Sequence, residues 1–127
     1  MAVIGIGIDA VTIERIRSAT AATPRGQRFR ERVFTEDERS VCEQRRDPAE
    51  SYAARFAAKE AVMKALGAEG ISWAWRDIEV VRDASGAPSI AVHGRVAARC
   101  DERGVRTIHV SLTHADPLAL ASVVLEN

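Results

Sequence analysis

The stretch Gly5-Ile6-Gly7-Ile8-Asp9-Ala10 decides how the rest of the chain is read. Two spaced glycines followed by alanine fit the phosphate-binding turn of a dinucleotide fold, in which backbone N–H groups cradle a pyrophosphate at a helix N-terminus. That fold needs a second parallel strand ending in an acidic residue about 20 positions further on. The sequence there is Pro24-Arg25-Gly26-Gln27-Arg28-Phe29-Arg30, polar and basic. Asp9 would also stand beside the phosphates, and two unit charges about 4 Å apart repel by about 4 kcal/mol at an effective dielectric of about 20. The spacing instead predicts a buried strand over Val3 to Ile8, with Ile4, Ile6 and Ile8 on one face and Gly5, Gly7 and Asp9 in phase on the other. Glycine weakens a strand interior unless another backbone or a ligand must come close. Asp9, at the strand's end, either caps the following helix or faces open space as a ligand.

Outward from this strand, the pattern changes from helical to strand-like. A helix is expected from Val11 into the alanine-rich stretch before Pro24, and Thr35-Glu36-Asp37-Glu38 carries a capping box for another. Asp47-Pro48-Ala49-Glu50 opens the best-defined helix, which should run to Leu66 and stop at Gly67. Asp77 to Arg82 and Ser89 to His93 flank a turn at Ala84 to Ala87 and read as a hairpin. Arg95 to Arg103 forms a short helix closed by Gly104, and Thr107 to Thr113 pairs with Leu118 to Leu125 around Ala115-Asp116-Pro117. An N-terminal strand and helices followed by antiparallel strand pairs make an α+β domain rather than a repeating β-α-β one.

At 127 residues the chain reads as one domain, residues 1–127, able to bury roughly two thirds of its unfolded surface without staples. Its 18 basic and 18 acidic residues balance, so net charge names no partner. Cys42 and Cys100 lack metal or redox spacing and no secretory leader precedes Met1, so they are expected to be reduced packing thiols of a cytoplasmic protein. No apolar run reaches the roughly 20 residues that span a bilayer, which argues against a membrane protein.

The long helix carries Arg55-Phe56-Ala57-Ala58-Lys59-Glu60-Ala61-Val62-Met63-Lys64-Ala65-Leu66-Gly67. At 3.6 residues per turn, Phe56, Glu60, Met63 and Lys64 share a side, so Glu60 lies among apolar neighbours and needs a partner. One candidate is Lys64 in an ordinary i, i+4 pair. The other is a cation shared with Asp9, since Mg²⁺ is held by few carboxylates plus phosphates and water.

Together GIGIDAVTIER, RFRERVFTEDE, ARFAAKEAVMKALG, RDIEVVRDASGAP and HVSLTHADPLALASVV resemble, nearly end to end and in order, the small bacterial holo-acyl-carrier-protein synthase group of 4′-phosphopantetheinyl transferases. The resemblance implies an enzyme that moves the phosphopantetheine arm of coenzyme A onto a serine of an apo acyl carrier protein, releasing adenosine 3′,5′-bisphosphate. It assigns Asp9 and Glu60 as ligands of Mg²⁺ and Lys64 as a contact to the pyrophosphate, with the glycines giving access. Glu60, acting through a bound water, is the first candidate for the base. Arg46, Arg55, Gly67, Pro88 and His114 are implied along the coenzyme A site, Arg46 toward its 3′-phosphate. A homotrimer with active sites at subunit interfaces is also implied. Thr113 departs from the serine common in the motif, and Glu69, Trp73 and Trp75 crowd the segment after the long helix. A non-catalytic coenzyme A or carrier-protein binding module is the alternative, disfavoured by the joint presence of Asp9, Glu60 and Lys64.

His114 shares a strand face with Ile108, Val110 and Leu112, so its residues alone suggest a buried histidine, whereas its place in the SLTH segment favours binding. His93 and His109 are read as structural. From Glu14 to Arg32, arginines stand at 15, 17, 25, 28, 30 and 32 against glutamates at 14 and 31 only. A solvated helix face or an RNA patch would explain such charge, but Phe29 and Phe34 are thin provision for base stacking, and nucleic acid is not expected. The resemblance places the acidic recognition helix of the carrier protein here, on Arg15, Arg25, Arg28 and Arg32.

Overall fold

The computed structural model describes residues 1–67 and 74–127. Strand β1 (Val3–Thr12) pairs antiparallel with β5 (Leu118–Glu126), and β5 with β4 (Thr107–Ala115), giving the sheet order β1-β5-β4. Strands β2 (Ile78–Arg82) and β3 (Pro88–Val92) form a separate antiparallel hairpin. The helices are α1 (Ile13–Ala19), α2 (Pro24–Val33), α3 (Glu36–Glu43), α4 (Pro48–Ala65) and α5 (Gly94–Glu102). The class is the expected α+β. Among the described residues no helix is long and apolar enough to cross a membrane. Cys42 and Cys100 are both free and buried.

Helix α4 lies across β1, β5 and β4, and its contact with β1 reverses one expectation. The alternation along β1 is as foreseen, but Gly7, Asp9 and Val11 face the core while Ile6 and Ile8 are 72% and 66% exposed. The cause is steric. A Cβ at Gly7 would stand 2.0 Å from the Ala61 carbonyl oxygen, and one at Gly5 would stand 2.3 Å from that of Ala65. The glycines therefore admit the helix backbone rather than a ligand, and α4 completes the fit with buried Ala57, Ala58, Ala61 and Ala65. β5 supplies the opposing small and apolar surface through Ala119, Ala121, Val123 and Leu125.

Two boundaries also differ. β1 continues through Thr12, its pairing with Leu118 outlasting the apolar alternation, so α1 starts later than expected. Helix α2 was not foreseen, although Thr23-Pro24 carries its start: the Thr23 hydroxyl accepts from Gly26 N at 3.0 Å, and proline occupies the first turn.

The capping box of α3 is present, and it does more than cap. Glu38 Oε1 accepts from Thr35 N at 3.0 Å and from Lys59 Nζ at 2.7 Å, while Oε2 accepts from Val80 N at 2.9 Å. Lys59 also donates to the carbonyls of Trp75 (3.1 Å) and Ile78. Both charged side chains are fully buried. Burial pulls the Lys59 ammonium down from its ordinary value and the Glu38 carboxylate pulls it back. Such a pair is tolerated inside because each charge is hydrogen-bonded, and here it ties α3, α4 and β2 together.

The remaining elements agree with the sequence. Gly67 ends α4 at φ +68°, and Gly104 follows α5 at φ +72°. Asp47 stands at the N-cap of α4, but both of its oxygens are taken by Arg17, at 2.8 and 3.0 Å. Of the departures noted after α4, Trp75 stacks on Phe56 with ring centroids 5.0 Å apart, whereas Glu69 and Trp73 lie outside the described residues.

Gly7→Ala should lower the unfolding free energy by about 2 kcal/mol or more in urea titrations, because the obstacle is backbone. Gly86→Ala, with nothing within 4 Å of the added Cβ but φ +87°, should cost about 1 kcal/mol. Equal losses would contradict the close seating of α4 on β1.

Candidate functional site

Because Asp9 follows Gly7 on the core face of β1, its carboxylate points at α4 and is only 8% exposed. Oδ1 accepts from Lys64 Nζ at 2.9 Å, and Lys64 also donates to the Ile8 carbonyl at 3.2 Å. Oδ2 is buried and has no partner among the described residues. Glu60 lies one helical turn before Lys64, half-buried, and makes no hydrogen bond or ion pair among the described residues. The ordinary Glu60–Lys64 pair weighed from the sequence is absent, since the ammonium is committed to Asp9. Burial pushes the Glu60 carboxyl up from its ordinary value and the charge of Asp9 pushes it further, with Arg15 and Lys64 opposing.

Asp9, whose charge pushes the Glu60 carboxyl up and whose second oxygen is buried without a partner among the described residues, and Glu60 are the pair that could hold a cation. The donor set decides which kind. Among the described residues no group of three or more His, Cys, Asp or Glu is arranged to hold a metal, so a closed structural zinc site is ruled out there. A pair of carboxylate donors beside a lysine suits Mg²⁺, which keeps several waters and shares its sphere with substrate phosphates.

A second cluster lies on another side of α4. A cavity of about 340 Å³ is lined by Arg45, Arg46, Arg55, Arg82, Glu50 and His114. Arg46, Arg55 and His114 thus come together as expected. His114 keeps the strand face read from the sequence, but its side chain is 55% exposed, with Nδ1 3.6 Å from Glu50, so it is not a core histidine. Arg55 is buried: Nη1 donates to Ser51 Oγ at 2.6 Å and Nε has no partner. Gly67 and Pro88 do not line this cavity. Gly67 lies beyond the far end of α4, roughly 18 Å along the helix from Arg55. Pro88 pairs with Arg82 across the hairpin. Arg45 and Arg82 were missed. The Arg45-Arg46 doublet was a usable signal for the first, whereas only the hairpin register brings Arg82 to the cavity.

Arg55 and Glu60 are five positions apart, about 140° around the helix. Asp9, Glu60 and Lys64 accordingly do not line the arginine cavity. The carboxylate pair and the arginine cavity are separate clusters of the chain.

A third feature joins the carboxylates on the α1 side. Arg15, Arg25, Arg28 and Arg32 all line a cavity of about 620 Å³ between α1 and α2, with Phe29. Arg15 lies over the Phe56 ring at 5.7 Å and Arg32 over Phe29 at 5.9 Å, so the basic surface has an aromatic floor. His93 and His109 face Glu79 (3.0 Å) and Glu126 (3.3 Å), away from these clusters.

The raised Glu60 carboxyl has a stability consequence in the metal-free protein. A group whose folded value exceeds its unfolded one contributes stability below the unfolded value and loses it as pH rises through the folded one. Glu60→Gln should therefore raise Tm in chelator at about pH 7.5, and the gain should shrink toward about pH 4. A pH-independent effect would contradict the electrostatic origin.

The sequence and the fold are matched in known proteins. Residues 5–121 fit the family model of the 4′-phosphopantetheinyl transferase superfamily. The chain is 47% identical over 126 residues to a holo-[acyl-carrier-protein] synthase of Anaeromyxobacter sp. (strain K), covering 98% of this chain and 96% of that one. It is similar to the crystal structure of the holo-[acyl-carrier-protein] synthase of Neisseria meningitidis, with a TM-score of 0.87 at 32% identity, over 99% of this chain and 100% of the other. The Helicobacter pylori synthase in complex with coenzyme A aligns with a TM-score of 0.81 at 30% identity, over 95% and 99% of the two chains. With its carboxylate pair on a glycine-seated strand and helix, the chain belongs to the 4′-phosphopantetheinyl transferase superfamily.

Proposed function

We propose that this chain transfers the 4′-phosphopantetheine group of coenzyme A to a serine of an apo acyl carrier protein of fatty-acid or polyketide synthesis, in the cytoplasm, with release of adenosine 3′,5′-bisphosphate. The observation that carries this is the buried, unpartnered Oδ2 of Asp9 beside Glu60 and Lys64. Residues 1–127 act as one transferase domain.

Asp9 and Glu60 would hold Mg²⁺, which when bound neutralises the coenzyme A pyrophosphate and favours departure of the adenosine side. Lys64, half-exposed and paired with Asp9, places a positive charge beside the carboxylates where a phosphate oxygen would lie. Phosphoryl transfer depends mainly on alignment and charge neutralisation, which is what this small set of groups provides. Glu60 is the first candidate to take the serine proton, acting through a water. Arg15, Arg25, Arg28 and Arg32 receive the acidic face of the carrier protein and set its association rate and salt dependence. The proximity of Arg15 to Glu60 favours a serine delivered from that side.

The nucleotide end belongs to the arginine cavity with His114, and Gly67 and Pro88 meet coenzyme A as rim residues of the assembled site. Assembly is proposed because the half-sites lie on different sides of α4 and because the outer sheet face is apolar and open. Ile6 stands opposite Val124 and Ala10 opposite Leu120, with Ile6, Ile8 and Leu118 exposed. A homotrimer packed through these faces would bury them and bring the arginine cavity of one copy to the carboxylate pair of the next.

Intact mass of an apo carrier protein, after incubation with the chain, coenzyme A and Mg²⁺, should rise by one phosphopantetheine. The gain should vanish with Asp9→Ala/Glu60→Ala or with chelator. Glu60→Ala and His114→Ala chains, each impaired alone, should recover activity when refolded together. No mass gain across several carrier proteins, with coenzyme A bound, would overturn the transferase assignment, and failure of the mixture to recover would overturn the shared site.

A further inference from the structure

Four aromatic rings form one connected row beside the basic cavity between α1 and α2. Trp75 stacks on Phe56 with centroids 5.0 Å apart and planes at 20°, Phe56 meets Phe29 at 6.0 Å, and Phe29 meets Phe34 edge-on at 6.3 Å. Two of the cavity's arginines rest on this row: the Arg15 guanidinium lies over Phe56 at 5.7 Å and that of Arg32 over Phe29 at 5.9 Å. Phe56 belongs to α4 and is only 5% exposed, so its ring links the exposed Arg15 to the interior.

A phenylalanine ring turns about a soft terminal torsion, and its neighbours decide where it stops. Here the indole of Trp75 packs nearly parallel to it. Trp75 is itself held by its backbone. It opens a 3₁₀ turn, Trp75–Asp77, ahead of β2, and its carbonyl accepts from the buried Lys59 ammonium at 3.1 Å. The next residue, Arg76, donates from Nη1 to the Glu31 carbonyl of α2 at 3.4 Å. Support thus runs from the buried Lys59–Glu38 pair through Trp75 and Phe56 to a guanidinium at the surface.

A free arginine samples many rotamers, and ordering it on a partner costs binding free energy. A guanidinium already resting on a ring has given up part of that freedom before the partner arrives. The position of Arg15 matters twice, because its charge also acts on Glu60. We propose that Trp75 is a positioning residue for the acidic partner: by fixing the Phe56 ring it holds the Arg15 fork ready for a carboxylate of the carrier protein. This rests on the transfer reaction and the carrier surface proposed above. Trp75 lines neither basic cavity, so its effect passes through Phe56.

The test measures kcat, KM for the apo carrier protein and KM for coenzyme A at saturating Mg²⁺, with Tm of each chain. Trp75→Leu, which keeps an apolar side chain but removes the flat ring, should raise KM for the carrier protein by about fivefold and leave kcat and KM for coenzyme A within about twofold. Trp75→Met, whose flexible side chain fills irregular space, takes its place if the leucine chain does not fold. Trp75→Phe, which restores a ring, should recover most of the loss. In an Arg15→Ala background, Trp75→Leu should raise the same KM by less than about twofold, because the group it positions is gone. An equal rise in both backgrounds, an unchanged KM in Trp75→Leu, or a Trp75→Phe chain as impaired as Trp75→Leu would overturn the inference. Nuclear magnetic relaxation of the Arg15 Nε–Hε group reads the same contact without any reaction. If the wild type transfers nothing, yet Arg15 is ordered in it and in Trp75→Phe and mobile in Trp75→Leu, the role of Trp75 stands without the reaction. If Arg15 is equally ordered or equally mobile in all three, that role is wrong whether or not transfer occurs.

Discussion

The close contact between the backbone of α4 and the glycines of β1 places everything else. No side chain fits between Gly7 and the Ala61 carbonyl, so the helix lies against the strand with alanines turned inward. Asp9, two residues further along the same strand face, is then carried to the turn of α4 that bears Glu60 and Lys64. Its burial follows from the same contact, and so does the orphaned oxygen beside Glu60 and Lys64. Arg103 secures the arrangement, donating to the carbonyls of Ile4 at 2.9 Å and Ala65 at 3.4 Å. On the other side of α4 the buried Lys59–Glu38 pair fixes the helix to α3 and β2. Lys59 and Glu60 are neighbours in sequence but point about 100° apart, so one serves the fold while the other is left for chemistry.

Electrostatics divides the surface in a way that a net charge of zero conceals. One basic cavity lies between α1 and α2 and a second beside α4; the carboxylate pair lines neither, and Arg15 of the first is the arginine whose charge acts on Glu60. For an enzyme joining an acidic protein to a nucleotide-bearing donor, two separate positive surfaces with an acidic centre are what the chemistry asks for. In the function proposed above, the first would steer encounter and the second would hold the donor, so the two could be altered independently. In the assembly proposed above, the exposed Ile6 and Ile8 of β1 would be covered by a neighbouring copy.

The sequence made legible whatever was local. The Thr35 capping box, the Asp47-Pro48 start of α4, the stop at Gly67 and both hairpin-like strand pairs stand where their residues put them. The approach of Asp9 to Glu60 was one of two options left open by the residues, and family resemblance favoured it. What failed was non-local. Alternation in β1 says which residues share a face but not which face is covered, and the isoleucines proved to be outside. Lys64 chose Asp9 over Glu60 because the strand brought a carboxylate closer than the helix did. Arg82 and the Lys59–Glu38 pair depend on tertiary register, and nothing in their local sequence distinguishes them from surface charges.

The most direct test of this account is the position of a bound divalent ion. Crystals grown with Mn²⁺ and adenosine 3′,5′-bisphosphate should show an anomalous peak bridging the Asp9 and Glu60 carboxylates, with the free Asp9 oxygen among its ligands. A peak held by other residues, or none at this pair under conditions that support transfer, would contradict the claim that α4 seated on β1 builds the metal site.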